Sequence, residues 1–299
     1  MSALSAHAPV SSGVAYSITS SSKFILSTSG RVKSCQRYKT FLQDILGLDI
    51  VYVPTHTLAD EMTDASQKID PQEFVWALRG LPCIGGAISR DIKQSVIAFL
   101  DELDESASAV NSVNTVVRRG KILRGFNTDV MGFRSAIEKG LVANPGIVVK
   151  NSVIYGYGGV TNVAAYVLKS MGIAVYITGR RIDMVMAKAA ELDVGIWTPE
   201  VQADLFVNAA PVSSSPLEGV PTFLDALAGC KLVFDHELSG CCLVDHCAAA
   251  GIIMLSGMTM YVPQMTAQWG LFLAEIVDAE NVSRLLADLV ATEQAAGTQ

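Results

Sequence analysis

Short apolar runs and stretches of helical periodicity alternate along most of the chain. In the first half, the apolar runs that predict strands lie near residues 23–29, 49–54, 84–88, 113–117 and 122–125. Helical periodicity in the same half covers residues 38–46, 72–78, 91–100 and 130–139. This mixture of strands and helices predicts an α/β domain in the first half of the chain.

The alternation becomes regular after residue 146. Predicted strands fall near residues 151–155, 174–178, 195–197, 204–208, 231–234 and 252–255, with helices or loops between them. Such regular alternation is typical of a parallel, doubly wound sheet. Two further helices are predicted at residues 264–277 and 282–296. Residues 1–22, which are rich in Ser and Ala, predict a mobile tail.

A glycine cluster follows the predicted strand at residues 151–155. The sequence there is VIYGYGGVTN, in which Gly156, Gly158, Gly159 and Val160 lead into a helical segment. A strand, a glycine turn and a helix in this order bring backbone N–H groups and a helix N-terminus close to a pyrophosphate. The spacing G-x-G-G differs from the usual G-x-G-x-x-G, so a plain βα turn with structural glycines is the alternative.

The end of the next predicted strand, at residues 174–178, favours NADP over NAD. It is followed by Gly179, Arg180 and Arg181, and the first acid after the strand is Asp183. An acid at this place binds the ribose hydroxyl of NAD, whereas an arginine accommodates the additional phosphate of NADP. The guanidinium group can donate two hydrogen bonds to one phosphate. A solvated pair of loop arginines, in an enzyme that uses NAD, is the alternative.

Composition and charge exclude several classes of protein. The chain has 299 residues, of which 50% are hydrophobic and 17% charged, which suits two domains with compact cores. The net charge of −7 argues against general nucleic-acid binding. The six cysteines are scattered without a C-x-x-C pair, which predicts reduced thiols, a cytoplasmic location and no metal site. No apolar run approaches the roughly 20 residues that a membrane span needs.

Several segments, taken together, resemble the shikimate dehydrogenase family. They are AISRDIK at 87–93, FLDELDESASAVNSVNTV at 99–116, GFNTDVMGF at 125–133, YGYGGV at 155–160, ITGRR at 177–181, LFVNAA at 205–210 and GMTMYVPQ at 257–264. They occur in the family's order and cover nearly the whole chain from residue 23. The pairing of SVNT with NTD, a lysine upstream and a late G-M-x-M-x-x-x-Q is specific as a set.

The resemblance implies a two-domain architecture. Residues 23–129 and 258–299 are expected to form an α/β substrate-binding domain, to which the C-terminal helices return. Residues 130–257 are expected to form a Rossmann-type domain that binds NADP, with the reaction in a cleft between the domains. The family's reaction is reversible hydride transfer between NADP and shikimate, which gives 3-dehydroshikimate. The ligand is therefore expected to be a small cyclic hydroxy acid, bound by a monomer or a homodimer.

By resemblance, the catalytic pair falls on Lys93 and Asp129. Oxidation of a secondary alcohol needs a group that takes the hydroxyl proton as hydride leaves. An amine and a carboxylate that share one hydroxyl can serve both directions of the reaction. The alternatives are a solvated lysine at a helix start for Lys93 and a cap of the following helix for Asp129. A lysine near a helix N-terminus meets an unfavourable dipole, which favours a functional reason for Lys93.

The resemblance also implies a set of binding residues. Ser89 stands where a threonine usually contacts a substrate hydroxyl, and Asn114 and Gln264 match amides that bind ring hydroxyls. Asn208 matches the strand-end position beside the nicotinamide, and Gly257 lets the backbone pass close to it. A turn cap is the alternative for Asn114, and an ordinary helix-start residue is the alternative for Gln264.

The chain departs from the family where the substrate carboxylate is bound. SGRVKSCQRY replaces the family's H-S-x-S-P, and Ser34 is the nearest candidate there, with Ser29 behind it. Ala87 and Asp91 replace an asparagine and a proline, His236 follows the strand where a tyrosine is expected, and GCCLVD replaces G-x-T-P-L. The S-G-R after the first strand, the A-x-S before Lys93 and SVNT resemble the divergent shikimate-dehydrogenase-like branch more closely than the biosynthetic enzyme. We therefore expect weak activity on shikimate or a preference for a related acid such as quinate. A metabolite-binding relative without catalysis is the alternative.

Overall fold

The computed structural model describes residues 14–29, 32–55, 69–89, 92–210, 221–236 and 243–297. The chain packs as two compact units. The first contains Met1–Asp104 and Val113–Phe126, and the second contains Glu105–Ser112 and Asn127–Gln299. Residues 1–13 of the predicted tail lie outside the described residues. The described end of that segment is bonded to the first unit, where the Tyr16 hydroxyl donates to the Cys35 carbonyl oxygen at 2.8 Å.

The first unit is built on a mixed sheet. Its strands are β1 Lys23–Ser27, β2 Ile50–Pro54, β3 Cys83–Ala87, β4 Glu102–Leu103, β5 Thr115–Arg119 and β6 Ile122–Phe126. Their order is β2-β1-β3-β5-β6-β4, with β1 parallel to β2 and β3 and with β5 antiparallel to β3 and β6. The α-helices of this unit are α1 Val32–Lys39 and α2 Pro71–Gly80. Helix α2 starts where the Asp70 side chain accepts hydrogen bonds from the N–H groups of Gln72 and Glu73.

Two helices predicted in the first unit take other helical forms. The prediction at 38–46 covers the end of α1 and a π-helical segment, Thr40–Ile45. The prediction of a helix at 91–100 is wrong, because the described part is a turn at Lys93 followed by the 3-10 helix Ser95–Phe99. The β-branched side chains within SVIAF disfavour a longer α-helix. The helix-dipole argument for Lys93 therefore does not apply.

The second unit contains the parallel sheet that the regular alternation predicts. Its strands are β7 Asn151–Tyr155, β8 Ala174–Thr178, β9 Gly195–Ile196, β10 Leu205–Asn208, β11 Leu232–Asp235 and β12 Ile253–Ser256. Their order is β9-β8-β7-β10-β11-β12, and all neighbouring strands are parallel. This is the 3-2-1-4-5-6 order of the Rossmann fold. The predicted α/β fold with a Rossmann-type domain is confirmed.

Helices next to this sheet pack on both of its faces, and eight α-helices lie in the described part of the second unit. They are α3 Glu105–Val110, α4 Thr128–Ala143, α5 Gly159–Ser170, α6 Ile182–Leu192, α7 Pro221–Leu227, α8 Leu243–Ala250, α9 Gly257–Leu273 and α10 Ala279–Gly297. Ile154 and Val207 face a core shared with α4, α5 and α6, whereas Val153, Tyr155 and Phe206 face a second core shared with α7 and α8. Burial of each of these apolar side chains contributes about 1.5–3 kcal/mol to the free energy of unfolding. Within the described part of the chain, every helix is too short or too polar to span a bilayer.

Helix α9 starts earlier than the sequence predicts. A start at residue 264, after Pro263, is wrong, because the helix begins at Gly257 and contains Pro263. Proline removes one helical hydrogen bond, but close packing on α4 favours the continuous helix. A Cβ atom on Gly132 would lie 2.7 Å from both the Gln264 Cβ and the Met260 carbonyl oxygen, so only glycine permits this approach. Helices α9 and α10 belong to the second packing unit. The functional division into residues 23–129 with 258–299, and 130–257, stays a prediction.

Candidate active site

The glycine turn after β7 is tight against the sheet and open on its outer side. Gly156 has φ +136°, which L side chains rarely adopt, and a Cβ there would lie 3.1 Å from the Ala209 carbonyl carbon and oxygen. By contrast, Cβ atoms on Gly158 and Gly159 would meet nothing within 4 Å. The first N–H groups of α5, at Gly159 and Val160, have no partner within the helix. The turn therefore has both the space and the donors that a pyrophosphate requires.

The two arginines after β8 differ in their surroundings. Arg181 donates to Asp183 at 2.7 Å, and this hydrogen bond holds the pKa of the Asp183 carboxyl below its usual value. Arg180 is exposed and makes no hydrogen bond or ion pair with any described residue. Gly179, before them, packs beneath the Tyr157 ring, which a Cβ would approach to 3.3 Å. Arg180 is therefore the arginine available for a phosphate, while Arg181 already has an anionic partner.

A row of polar side chains crosses the carboxyl ends of the central strands. Tyr155 is in register with Asn208, Asn208 with Asp235, and Asp235 with Ser256. The Asn208 amide is fully buried; its Nδ2 donates to Asp235 Oδ1 at 3.0 Å, and its Oδ1 accepts from the Ala210 N–H at 3.3 Å. Asn208, predicted to lie beside the nicotinamide, thus fixes the end of β10 through its side chain. Gly257 directly follows Ser256, the last residue of β12, and is the buried first residue of α9.

The start of α4 carries Asp129, but the cap of this helix is another residue. Asn127 is the N-cap, and its Oδ1 accepts from the Asp129 N–H at 3.1 Å. The capping alternative for Asp129 is therefore wrong, and its half-buried carboxylate lies in the first turn of the helix. Gln264 Nε2 donates to Thr128 Oγ1 at 2.8 Å, which brings Gln264 beside this turn. Gln264 lies inside α9, so its helix-start alternative is also wrong.

The first unit brings three further predicted residues together. The Ser89 N–H donates to Thr28 Oγ1 at 2.7 Å, and the two hydroxyls are 3.2 Å apart. The Ile88 N–H donates to the Asn114 carbonyl oxygen at 2.8 Å, and the Val113 N–H donates to the Lys93 carbonyl oxygen at 2.8 Å. These hydrogen bonds hold the segments that carry Ser89, Asn114 and Lys93 next to one another; Ser89 follows β3, and Asn114 directly precedes β5.

Hydroxyl groups that the sequence did not predict as part of the site lie at the end of β1 and at the start of β5. Tyr52 donates to Ser27 Oγ, and the Ser29 N–H donates to the same oxygen at 3.0 Å. Thr115 Oγ1 donates to Asn114 Oδ1 at 2.8 Å and fixes the orientation of that amide. The signal available in the sequence was the run of small polar residues STS, directly after the apolar FIL. Ser34, the predicted carboxylate-binding residue, is half-buried in α1. Several positions where the chain departs from the family, residues 30, 31, 91 and 237–242, lie outside the described residues.

A Rossmann sheet with an open glycine turn and a free arginine after its second strand defines a dinucleotide-binding protein. No family model matches the chain. It is 30% identical over 270 residues to the shikimate dehydrogenase (NADP(+)) of Pseudarthrobacter chlorophenolicus, covering 85% of this chain and 89% of the relative. This chain belongs to the shikimate dehydrogenase family, so the resemblance is confirmed.

Solved structures agree with this assignment. A shikimate 5-dehydrogenase-like protein has a TM-score of 0.71 at 25% identity, over 91% of this chain and 98% of its own. Quinate dehydrogenase from Corynebacterium glutamicum, in complex with NAD, has a TM-score of 0.73 at 24% identity, over 89% of this chain and 99% of its own, and supports the fold. The closer placement in the shikimate-dehydrogenase-like branch stays a prediction.

Proposed function

We propose that this protein is an NADP-dependent oxidoreductase. It transfers hydride reversibly between NADP and shikimate, giving 3-dehydroshikimate, or between NADP and a related cyclic hydroxy acid such as quinate. The observation that carries the proposal is the glycine turn of a Rossmann sheet in a chain of this family, open at Gly158 and Gly159 and followed by the unpaired Arg180. NADP, when bound, supplies the hydride acceptor.

The second unit supplies the cofactor-binding residues of this proposal. The turn residues Gly158, Gly159 and Val160 present backbone N–H groups to the pyrophosphate, and Gly156, whose N–H donates to the Thr178 carbonyl oxygen at 2.9 Å, shapes the turn. Arg180 binds the additional phosphate, and Gly179 and Arg181 border that position. Asn208 and Gly257 lie at the ends of β10 and β12, which belong to the other half of the sheet. In a Rossmann fold that half receives the nicotinamide nucleotide.

Lys93 and Asp129 carry the acid–base chemistry. The carbinol C–H bond breaks with its electron pair leaving as hydride, the O–H proton passes to the Lys93 side chain, and a C=O bond forms. Asp129 accepts a hydrogen bond from the substrate hydroxyl and fixes its direction. Asp129 suits this role because Asn127 already caps α4. General base catalysis of this kind contributes about 10²–10⁴ in rate.

Polar side chains select the substrate ring. Ser89, Asn114 and Gln264 bind ring hydroxyls, and Ser34 is the candidate for the carboxylate. The fixed amide of Asn114 supports this, because Thr115 occupies its oxygen and so sets the direction of its N–H₂ group. Since an unpaired buried polar group is costly, a changed carboxylate segment alters the choice between shikimate and quinate more than it alters catalysis.

Arg180→Ala is expected to raise the KM for NADP about tenfold and to leave that for NAD nearly unchanged, because a hydrogen bond to a charged group contributes about 1.5–3 kcal/mol. Steady-state kinetics with both cofactors measures this. Arg181→Ala is the matched control, with a smaller effect expected because Arg181 is bonded to Asp183. Equal changes in the KM for NAD and for NADP in Arg180→Ala would mean that Arg180 does not bind the additional phosphate of NADP.

The proposed reaction is tested with the wild-type protein. NADP reduction at 340 nm is followed with shikimate and with quinate, and calorimetry measures binding of NADP and of each acid. Turnover with at least one acid is expected. Binding of both ligands without turnover would instead favour the metabolite-binding relative.

We place the protein in the cytoplasm, as a monomer or a homodimer. Support comes from Cys35, Cys83, Cys230 and Cys247, which are buried free thiols. Burial raises the pKa of Cys83 to about 11 and that of Cys230 to about 12, which makes these thiols poor nucleophiles. Unpaired thiols of this kind suit a reducing compartment.

A further inference from the structure

A buried carboxylate lies at the end of β11. Asp235 is 0% exposed, and its neighbours in the core on that face include Val233, Leu243 and Cys247. Asp235 Oδ1 accepts from Asn208 Nδ2 at 3.0 Å. The pKa of the Cys247 thiol is raised to about 11, first by burial and then by the negative charge of Asp235. Burying a carboxylate among apolar side chains is costly, so its position calls for a physical reason.

The position of Asp235 in the sheet indicates which part of a dinucleotide it faces. Arg180 follows β8, so the phosphate of the adenosine ribose belongs to the β7–β8–β9 half of the sheet. The pyrophosphate crosses the switch point between β7 and β10, and the nicotinamide nucleotide then falls to the β10–β11–β12 half. Asp235 ends the middle strand of that half, and its hydrogen-bond partner Asn208 ends the strand beside the switch point.

We propose that Asp235 is a positioning residue that sets the preference of the site between the two redox forms of the cofactor. The inference rests on the proposed function. The oxidised nicotinamide ring carries a positive charge and the reduced ring carries none. A fixed negative charge near the ring therefore stabilises the oxidised form, and it does so strongly in a buried, weakly screened position. Asp235 thus favours binding of NADP⁺ over NADPH and, through Asn208, fixes the backbone at the end of β10.

The Asp235→Asn variant isolates the charge from the shape. An asparagine side chain has nearly the same size, and its oxygen can still accept from Asn208 Nδ2. The dissociation constants for NADP⁺ and NADPH are measured separately, by calorimetry and by NADPH fluorescence. We expect the preference for NADP⁺, taken as Kd(NADPH)/Kd(NADP⁺), to fall about tenfold in the variant.

Asp204→Asn is the matched control. Asp204 lies in the same sheet but before β10, at the opposite, amino edge, where it accepts from the N–H groups of Lys150 and Asn151 at 2.9 and 3.1 Å. The same chemical change there is expected to leave the ratio unchanged. A second variant, Asn208→Asp with Asp235→Asn, returns one negative charge to the pair. It is expected to restore most of the ratio, and it can be measured even if the single variant is unstable.

The outcomes separate the possible roles. A fall in the ratio for Asp235→Asn alone, restored in the double variant, supports the inference. An unchanged ratio, whether or not both constants weaken together, overturns it and leaves Asp235 with a structural role only. If the wild-type protein binds neither form, the proposed function itself fails, and the inference fails with it.

Discussion

Lys93→Ala is expected to lower kcat about a thousandfold and to change the KM for NADP little, because the variant removes the group that accepts the hydroxyl proton. The fold is expected to be retained. The anchor of this segment is the backbone hydrogen bond from the Val113 N–H to the Lys93 carbonyl oxygen, which alanine keeps. Steady-state kinetics with shikimate and quinate, together with thermal unfolding, measures both effects.

Lys121→Ala is the control for the loss of one positive charge in the same unit. Lys121 is exposed in the β5–β6 turn, and its contact with Arg79 uses only its carbonyl oxygen. Small primary amines added to Lys93→Ala should restore part of the activity, since they can replace the missing base. Full activity of the untreated variant would show that another group accepts the proton.

Gly158→Ala is expected to weaken NADP binding more than tenfold while leaving the free energy of unfolding nearly unchanged. Gly158 has φ −89°, which alanine adopts freely, and the new Cβ would meet nothing within 4 Å in the protein. The methyl group would instead occupy the space assigned to the pyrophosphate. Calorimetric titration with NADP and denaturant unfolding measure the two quantities separately.

Two other glycines make the comparison specific. Gly156→Ala is expected to destabilise the fold, because its φ of +136° and the Ala209 backbone 3.1 Å from the new Cβ are both unfavourable. Gly146→Ala, with nothing within 4 Å, is expected to change neither quantity. Unimpaired NADP binding by Gly158→Ala would mean that the pyrophosphate lies elsewhere.

The parallel half of the fold could be predicted because its signals are local. Buried strands read as short apolar runs, and the glycines and arginines at their ends lie within a few residues of them. Strand β4, Glu102–Leu103, and helix α3, Glu105–Val110, were not predicted, because elements of two and six residues are too short to show a period. The prediction of an α-helix at 91–100 was wrong for a related reason, because apolar spacing alone does not distinguish an α-helix from a 3-10 helix.

The parts of the site that escaped prediction depend on the register between distant segments. The bond between Asn208 and Asp235 requires β10 and β11 to be in register. The different roles of Arg180 and Arg181 depend on which of them Asp183 can reach. The cap on α4 was open to Asn127 or Asp129, and the backbone geometry selects Asn127. Residue types near a strand end therefore predict the kind of chemistry, while hydrogen-bond partners decide which residue performs it.

Hydride transfer from the substrate carbinol carbon to NADP is most directly tested with deuterium. Shikimate and quinate labelled at the carbon that is oxidised are incubated with the wild-type protein and NADP, and the reduced cofactor is analysed by mass spectrometry. The proposed function predicts one deuterium atom in each molecule of reduced cofactor formed from the labelled acid that the protein uses. Reduced cofactor without deuterium, or no reduced cofactor with either acid, would contradict it.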